Sequence, residues 1–316
     1  MASTLGLLAS CCAAVAATPA RLVRPRRPDP GLLAGLHDAG APPARATVRL
    51  TALPQARQSA PATIVAEGAR SVRRLALGMT TFLVEHPRAR FLVDPAVCAD
   101  VHRRVLPEIP AVLRRVVAPE RPVRGLAETL DRAGHRAGDV DFALATHLHW
   151  DHVAGLLELP GLPLRVTGPE HADALEGPTP PPCVARGPLE GRPLGTLPLD
   201  GPPVLTFGAG HDLFGDGAVV LVDLAGHTPG SVGVLLALDD GTRVLLAGDA
   251  VWHREQVRLL REKAPFPGRV VDHDRDAAFA SVARLHALPR GVVVVPSHDR
   301  AAATPWVPRA LGTDRM

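Results

Sequence analysis

The chain has 316 residues, of which 46% are hydrophobic and 21% charged, a composition that supports one large or two small folded domains. Its formal net charge is only +3, and its arginine clusters lack interleaved aromatic residues, so we expect no nucleic-acid binding. Lys263 is the only lysine, against 34 arginines, a usage that codon bias explains.

Residues 1–60 are predicted to form an Ala/Pro/Arg-rich extension, with a short helix near 30–39, before a main domain of residues 61–316. Its apolar stretch, residues 5–17, is shorter than the ~20 residues that span a bilayer. No basic residue precedes this stretch, and arginines follow it, which favours retention on the cytoplasmic side. A disordered tail and an apolar membrane anchor remain the alternatives. The four cysteines show no CxxC spacing, which indicates reduced thiols in a cytoplasmic protein.

Two early strands are predicted at 71–77 and 80–85, and a turn joins the second to residues 90–93 as a hairpin. The region that follows, residues 97–130, is arginine-rich and interrupted by prolines, with helical stretches. Three arginines there either attract an anionic substrate to a cleft or cover a solvated helix face; they are Arg104, Arg114 and Arg115. The Pro/Gly-dense segment 176–203 is predicted to be a loop, either a lid over the site or a plain surface segment.

The run His147-Leu148-His149-Trp150-Asp151-His152 follows an apolar strand predicted at 140–145. Alternate residues of an extended chain point the same way, so His147 and His149 can share one metal ion. Where the chain turns into a helix, predicted at 150–159, Asp151 and His152 are directed to a neighbouring position. Imidazole and carboxylate are ligands that suit zinc, manganese or iron.

Three further apolar strands each end in a polar motif. The strand at 218–224 precedes Gly226-His227-Thr228-Pro229-Gly230-Ser231, and the run from Val244 ends in Ala247-Gly248-Asp249-Ala250. The strand at 292–295 precedes Ser297-His298-Asp299. Side chains that follow the carboxyl ends of several strands can converge, so we expect one common metal site.

Together, these four motifs, in this order and at these separations, resemble the metallo-β-lactamase superfamily over about residues 62–305. The resemblance implies an α/β protein with a four-layer αββα sandwich and two divalent metal ions, most often Zn²⁺, at one edge between the sheets. It implies that His147, His149 and His227 hold one ion, that Asp151, His152 and His298 hold the second, and that Asp249 bridges them. It also implies that Asp94, at the end of an early strand, supports the metal ligands without binding metal itself.

Within the family, the chain is most similar to the N-acyl-homoserine lactone lactonases. Asp249 stands where members that hydrolyse β-lactams usually carry cysteine. Lactonases carry a tyrosine three residues after this aspartate, where this chain has Trp252. An indole offers only an N–H donor, so we expect Trp252 to hydrogen-bond the substrate carbonyl without acting as an acid. Asp151 or a metal-bound water is the expected proton donor to the leaving group, and Trp252, His253 and Phe266 are the expected pocket walls.

The expected function is a dinuclear metal-dependent hydrolase, in which a metal-bridging hydroxide attacks the carbonyl of a lactone or related carboxylic ester. A thioesterase of the hydroxyacylglutathione hydrolase type shares nearly every ligand, but the region after His298 offers few basic residues for glutathione carboxylates, namely Arg300, Arg309 and Arg315. A phosphodiesterase and, from another class, a mononuclear-iron persulfide dioxygenase remain alternatives. The expected partner is a small-molecule ester or lactone, and the oligomeric state stays open.

Overall fold

A computed structural model describes residues 4–312 of the chain, so the predicted Arg315 lies outside the described residues. The eleven strands of these residues form two sheets, one of six strands in the order β1-β2-β3-β4-β5-β6 and one of five in the order β11-β10-β9-β8-β7. The strands are β1 (Arg49–Pro61), β2 (Arg74–His86), β3 (Ala89–Val93), β4 (Phe142–Leu144), β5 (Leu164–Thr167), β6 (Leu194–Leu197), β7 (Gly210–Asp212), β8 (Val219–Asp223), β9 (Val232–Ala237), β10 (Arg243–Leu246) and β11 (Val292–Val295).

The described residues also form twelve α-helices, most of them short. They are α1 (Thr4–Val23), α2 (Pro30–Gly35), α3 (Ala62–Val65), α4 (Val101–Arg104), α5 (Ala111–Val117), α6 (Leu126–Arg132), α7 (Trp150–Val153), α8 (Gly168–His171), α9 (Arg254–Leu259), α10 (Pro265–Val271), α11 (Arg275–His286) and α12 (Arg300–Ala303).

Alternate residues of each strand point to opposite faces of its sheet, and this alternation creates the packed layers. In β8, Val219 and Leu221 face the first sheet, where they join Phe82 and Phe91 in one buried cluster. Val220 of the same strand points the other way, into a cluster with residues of α11. A further cluster packs the outer face of the first sheet against α6 and the segment after α7. The order helices, sheet, sheet, helices is the predicted αββα sandwich.

Three predictions about the first sheet need correction. The segment 176–203, predicted to be a loop, contains the edge strand β6, which pairs with β5. The early strands predicted at 71–77 and 80–85 are one strand, β2, which continues through Gly78 in register with β1. A Cβ on Gly78 would lie 2.6 Å from the Arg300 side chain, so the glycine here allows close packing and does not end the strand. The predicted boundary at residue 60 falls inside β1, which pairs with β2 along most of its length. Residues 49–60 therefore belong to the sandwich.

The N-terminal segment also packs on the body of the protein, which a disordered tail would not do. Leu7 and Cys11 of α1 are buried in one cluster with Val271 of α10. The Arg21 guanidinium binds the carboxylates of Glu67 and Glu262, each at 2.8 Å. Residues Gly6–Val23 are long and apolar enough to cross a membrane, and 22% of that window is buried against the rest of the chain.

Candidate metal centre

All four polar motifs lie at one edge of the sandwich, just past the carboxyl ends of their strands. The first follows β4 of the six-stranded sheet, and the others follow β8, β10 and β11 of the five-stranded sheet. The Val232 amide donates to the Thr146 carbonyl oxygen at 3.0 Å, so the two sheets are joined where the motifs begin. The topology thus brings together side chains that are up to 151 positions apart in the sequence.

One group of ligand atoms belongs to the three predicted histidines His147, His149 and His227. Their ligand atoms lie within 4.8 Å of one another, and all three side chains are buried. His149 Nδ1 and His227 Nε2 are 3.0 Å apart. Burial and the neighbouring His152 imidazole hold the pKa of His147 well below its ordinary value. Burial and the His227 imidazole do the same to the pKa of His149, so both rings are neutral and have lone pairs for a metal ion.

A second group surrounds the Asp249 carboxylate. Its Oδ1 lies 3.3 Å from His152 Nε2 and 3.1 Å from His298 Nε2, and its Oδ2 lies 3.5 Å from His227 Nε2. Asp151 Oδ2 is 3.6 Å from His298 Nε2. Asp249 therefore faces both groups of predicted ligands, as a bridging carboxylate must.

In three of these histidines, Nδ1 points away from the cluster and contacts an oxygen atom that fixes the orientation of the ring. His152 Nδ1 lies 2.8 Å from Asp94 Oδ2, and His298 Nδ1 donates to the Gly78 carbonyl oxygen at 2.7 Å. His227 Nδ1 lies 2.9 Å from Asp272 Oδ1. Because an oxygen acceptor requires a proton on Nδ1, each Nε2 keeps its lone pair for the centre of the cluster. Asp94 thus occupies the supporting place predicted for it.

Three buried atoms in this cluster make no hydrogen bond; they are His147 Nε2, His152 Nε2 and Asp249 Oδ1. Buried polar atoms are nearly always paired, and an unpaired one costs free energy. Imidazole nitrogens and a carboxylate oxygen facing one another are a donor set that a divalent cation satisfies. The residues present therefore fit the implied metal ions.

The charges around the second group are also those of a cation site. Burial lowers the pKa of His152, but the Asp94 and Asp249 carboxylates outweigh it, and the net pKa is well above the ordinary value. Burial also lowers the pKa of His298, but the Asp249 carboxylate outweighs it, and the net pKa is above the ordinary value. The carboxylates therefore favour positive charge at this position, which a bound metal ion would supply.

Trp252 does not use its N–H as predicted. The indole Nε1 donates to Asp249 Oδ2 at 2.8 Å, and an indole has no second donor for a substrate carbonyl. The ring still forms part of the wall of a cavity of about 320 Å³ that reaches the metal ligands, as does Phe266. His253, the third predicted wall residue, lies elsewhere and caps α9, where its Nδ1 accepts from the Glu255 amide.

Of the two alternatives for Arg104, Arg114 and Arg115, the cleft is not supported, because none of them lines this cavity; the apolar Val116 and Val117 of α5 do. Four further residues of the site carry no sequence motif. Glu170 is buried and accepts from the Leu148 amide at 2.7 Å and the Gly230 amide at 3.2 Å, so it joins two ligand loops. Cys183, from the Pro/Gly-dense segment 176–203, lines the cavity, and burial raises the pKa of its thiol.

Lys263 and Asp272 are the other two residues, a buried ion pair of 2.7 Å behind His227. Burial opposes ionisation of Asp272, but the Lys263 ammonium lowers the pKa of that carboxyl to about 2. Neither residue follows a strand or belongs to a spaced motif. The one signal in the sequence was that Lys263 is the single lysine of the chain.

Comparison with known proteins agrees with this geometry. The sequence profile of the metallo-beta-lactamase superfamily matches residues 77–298. A probable metallo-hydrolase of Mycobacterium tuberculosis is 30% identical over 197 residues, a match that covers 55% of this chain and 59% of the relative. The chain thus spans less than two thirds of the length of this curated relative.

Solved structures with the same fold are similar at low sequence identity. An N-acyl homoserine lactone hydrolase, with the product N-hexanoyl-L-homoserine bound at its catalytic metal centre, is 20% identical with a TM-score of 0.60. That match covers 82% of this chain and 96% of the other. A dizinc quorum-quenching lactonase is 15% identical with a TM-score of 0.53, covering 82% of this chain and 90% of the other.

Proposed function

This chain belongs to the metallo-β-lactamase superfamily, and on that premise we propose that it is a dinuclear metal-dependent hydrolase that opens lactones or related carboxylic esters. One observation carries the proposal: the ligand groups meet at Asp249 and leave three buried atoms without hydrogen bonds. One Zn²⁺ ion would be held by His147, His149 and His227, a second by Asp151, His152 and His298, and Asp249 would bridge the two. Zinc suits this set because it binds imidazole and carboxylate without a strong geometric preference.

Two divalent ions bound there would supply a water deprotonated near neutral pH and a positive charge that polarises a carbonyl oxygen. The protein's own residues supply orientation and proton transfer. The Asp151 side chain is 15% exposed and lines the cavity, so it is placed to carry a proton to the leaving oxygen. Trp252 holds the Asp249 carboxylate through its N–H and covers it with an apolar ring, which keeps bulk water away.

The cavity supports a substrate with an apolar acyl or alkyl arm. Away from the metal ligands its walls are mainly aliphatic or aromatic; they include Ile64, Leu77, Val116, Val117, Phe266 and Val271. Among the described residues that line it, Arg74 is the only lysine or arginine, and its guanidinium donates to Ser59. An apolar cavity with few charges favours a neutral lactone over a glutathione thioester, whose carboxylates require basic partners.

Hydrolysis of a substrate panel tests this proposal. Zinc-loaded protein would be offered acyl lactones of increasing chain length, an acyl-glutathione thioester and a phosphodiester, with acid release followed at constant pH. The proposal requires turnover of lactones that improves with chain length. Preferential cleavage of the thioester would instead support the hydroxyacylglutathione hydrolase alternative, and cleavage of the diester alone would exclude both.

A further inference from the structure

The chain's single lysine lies at the back of the proposed metal centre. The Lys263 side chain is 2% exposed, between the end of α9 and the start of α10. Every other basic residue apart from histidine is arginine, and arginine also surrounds the adjacent Glu262, whose carboxylate binds Arg21 and Arg275. Codon bias explains why arginine is common. It does not explain why this one buried position keeps an amine.

The surroundings of Lys263 match an ammonium group. Its Nζ donates to Asp272 Oδ1 at 2.7 Å and to the Asp249 carbonyl oxygen at 3.0 Å. It also lies 5.1 Å from the centre of the Trp252 ring, a cation–π contact. Two oxygens and one ring face account for the three N–H donors of an ammonium. A guanidinium has five donors in a rigid fork, so arginine here would leave buried donors unpaired.

Each of the three contacts leads to a proposed ligand. Asp272 Oδ1 also accepts from His227 Nδ1, so the oxygen that binds Lys263 is the one that orients His227. The Asp249 carbonyl fixes the backbone of the bridging residue. The Trp252 ring carries the N–H that holds Asp249 Oδ2. A single buried cation thus contacts the carboxylate that orients His227, the backbone of Asp249 and the ring whose N–H binds the Asp249 carboxylate.

We propose that Lys263 is a positioning residue of the metal centre, one that holds His227 and Asp249 in the arrangement that binds metal. This inference rests on the proposed dinuclear site and adds a requirement for a compact ammonium behind it. The ammonium does not touch substrate, so its removal acts through the ligands and changes metal affinity as well as rate. Loss of an outer partner of this kind typically lowers metal affinity about 10–100-fold.

Zinc affinity, measured against a competing chelator, tests the proposal in Lys263→Met and Lys263→Arg. The control is Arg258→Met, which removes an exposed cation of α9 that pairs with Glu255. We expect both Lys263 variants to lose about 10–100-fold in affinity while the control is unchanged, and the visible spectrum of the Co²⁺ form to change in the Lys263 variants only. Wild-type affinity in a folded Lys263→Met or Lys263→Arg protein would overturn the proposal.

A second measurement needs no variant of Lys263. Because the chain has one lysine, ¹⁵N-lysine labelling yields one side-chain amine signal in the full-length protein. We expect addition of zinc to shift this signal in the wild type and to shift it less in His149→Ala, which lacks a ligand of the ion that His227 would bind. A signal that zinc leaves in place, in protein shown to bind zinc, would overturn the role of Lys263 alone. A wild-type chain that binds no zinc would overturn the metal centre and this inference together.

Discussion

The indole N–H of Trp252 donates to Oδ2 of Asp249 over 2.8 Å, so Trp252 is bound to the carboxylate that we propose bridges the two metal ions. With Oδ2 held by the indole, Oδ1 is left facing His152 and His298. The expectation that Trp252 would contact a substrate carbonyl therefore changes. Its N–H acts on Asp249, and only its ring faces the substrate cavity.

Replacing Trp252 by phenylalanine separates these two roles, because the substitution keeps an apolar ring and removes the hydrogen bond. We expect zinc affinity to fall about 10-fold, as for other losses of an outer-sphere partner, and kcat to fall with it. Chelator competition and steady-state kinetics at saturating zinc measure the two effects. If affinity and kcat both stay at wild-type values, the hydrogen bond to Asp249 has no role in the site.

Asp94 offers a test on the opposite side of the cluster. Its Oδ1 accepts from the Thr146 amide at 2.7 Å, and its Oδ2 lies 2.8 Å from both Thr146 Oγ1 and His152 Nδ1. Asparagine keeps the shape and tolerates the φ of 52° found here. The NH₂ group of an asparagine, however, would face one of the donors that the Asp94 carboxylate accepts from, and that hydrogen bond would be lost. We expect Asp94→Asn to weaken binding of the second ion about 10–100-fold.

Isothermal titration with zinc measures that change as the loss of one binding phase. Asp141→Asn is the matched control, because Asp141 is exposed and its carboxylate accepts only from the Arg90 amide among the contacts described. An Asp94→Asn protein that binds both ions as tightly as this control would show that His152 needs no carboxylate behind it.

The strands that were predicted most accurately from the sequence are those marked by a clear hydrophobic pattern. The bounds of β11 agree to the residue with the predicted strand, because a run of four valines between Gly291 and Pro296 is too short for a helix and rich in β-branched residues. The sequence did not predict β1, whose run Arg49–Pro61 contains arginines and prolines that disfavour a strand, although pairing with β2 overrides them. Lys263, Asp272 and Glu170 were missed for another reason. Only tertiary contacts bring them to the site, and no local spacing records such contacts.

Gly226, directly before His227, has φ 132°, and a Cβ there would lie 2.1 Å from the Ala278 amide nitrogen. Any side chain must therefore push the His227 loop away from α11. We expect Gly226→Ala to lower the free energy of unfolding by about 2 kcal/mol and to weaken metal binding. Urea denaturation of metal-free protein measures the first effect. Gly138→Ala, with nothing within 4 Å of its Cβ, should leave both quantities unchanged, and equal effects of the two substitutions would contradict the account.

The N-terminal helix should contribute to stability through Arg21. Removing this guanidinium takes a partner from two buried carboxylates, Glu67 and Glu262, although Arg21 itself is partly exposed. We expect Arg21→Ala to cost about 2 kcal/mol in urea unfolding, in the range for hydrogen bonds to charged groups. Arg27→Ala, at an exposed position just beyond α1, is the control. Equal stability of the two variants would mean that the Arg21 ion pairs do not stabilise the domain.

The most direct test of the central claim is the rate of acyl-lactone hydrolysis as zinc is added in steps to metal-free protein. The account predicts that the rate rises until about two ions are bound per chain, and that His149→Ala releases no acid at any zinc concentration. A rate that reaches its maximum with one bound ion would contradict the dinuclear site. No hydrolysis with two ions bound would contradict the lactone substrate and leave the metal centre in place.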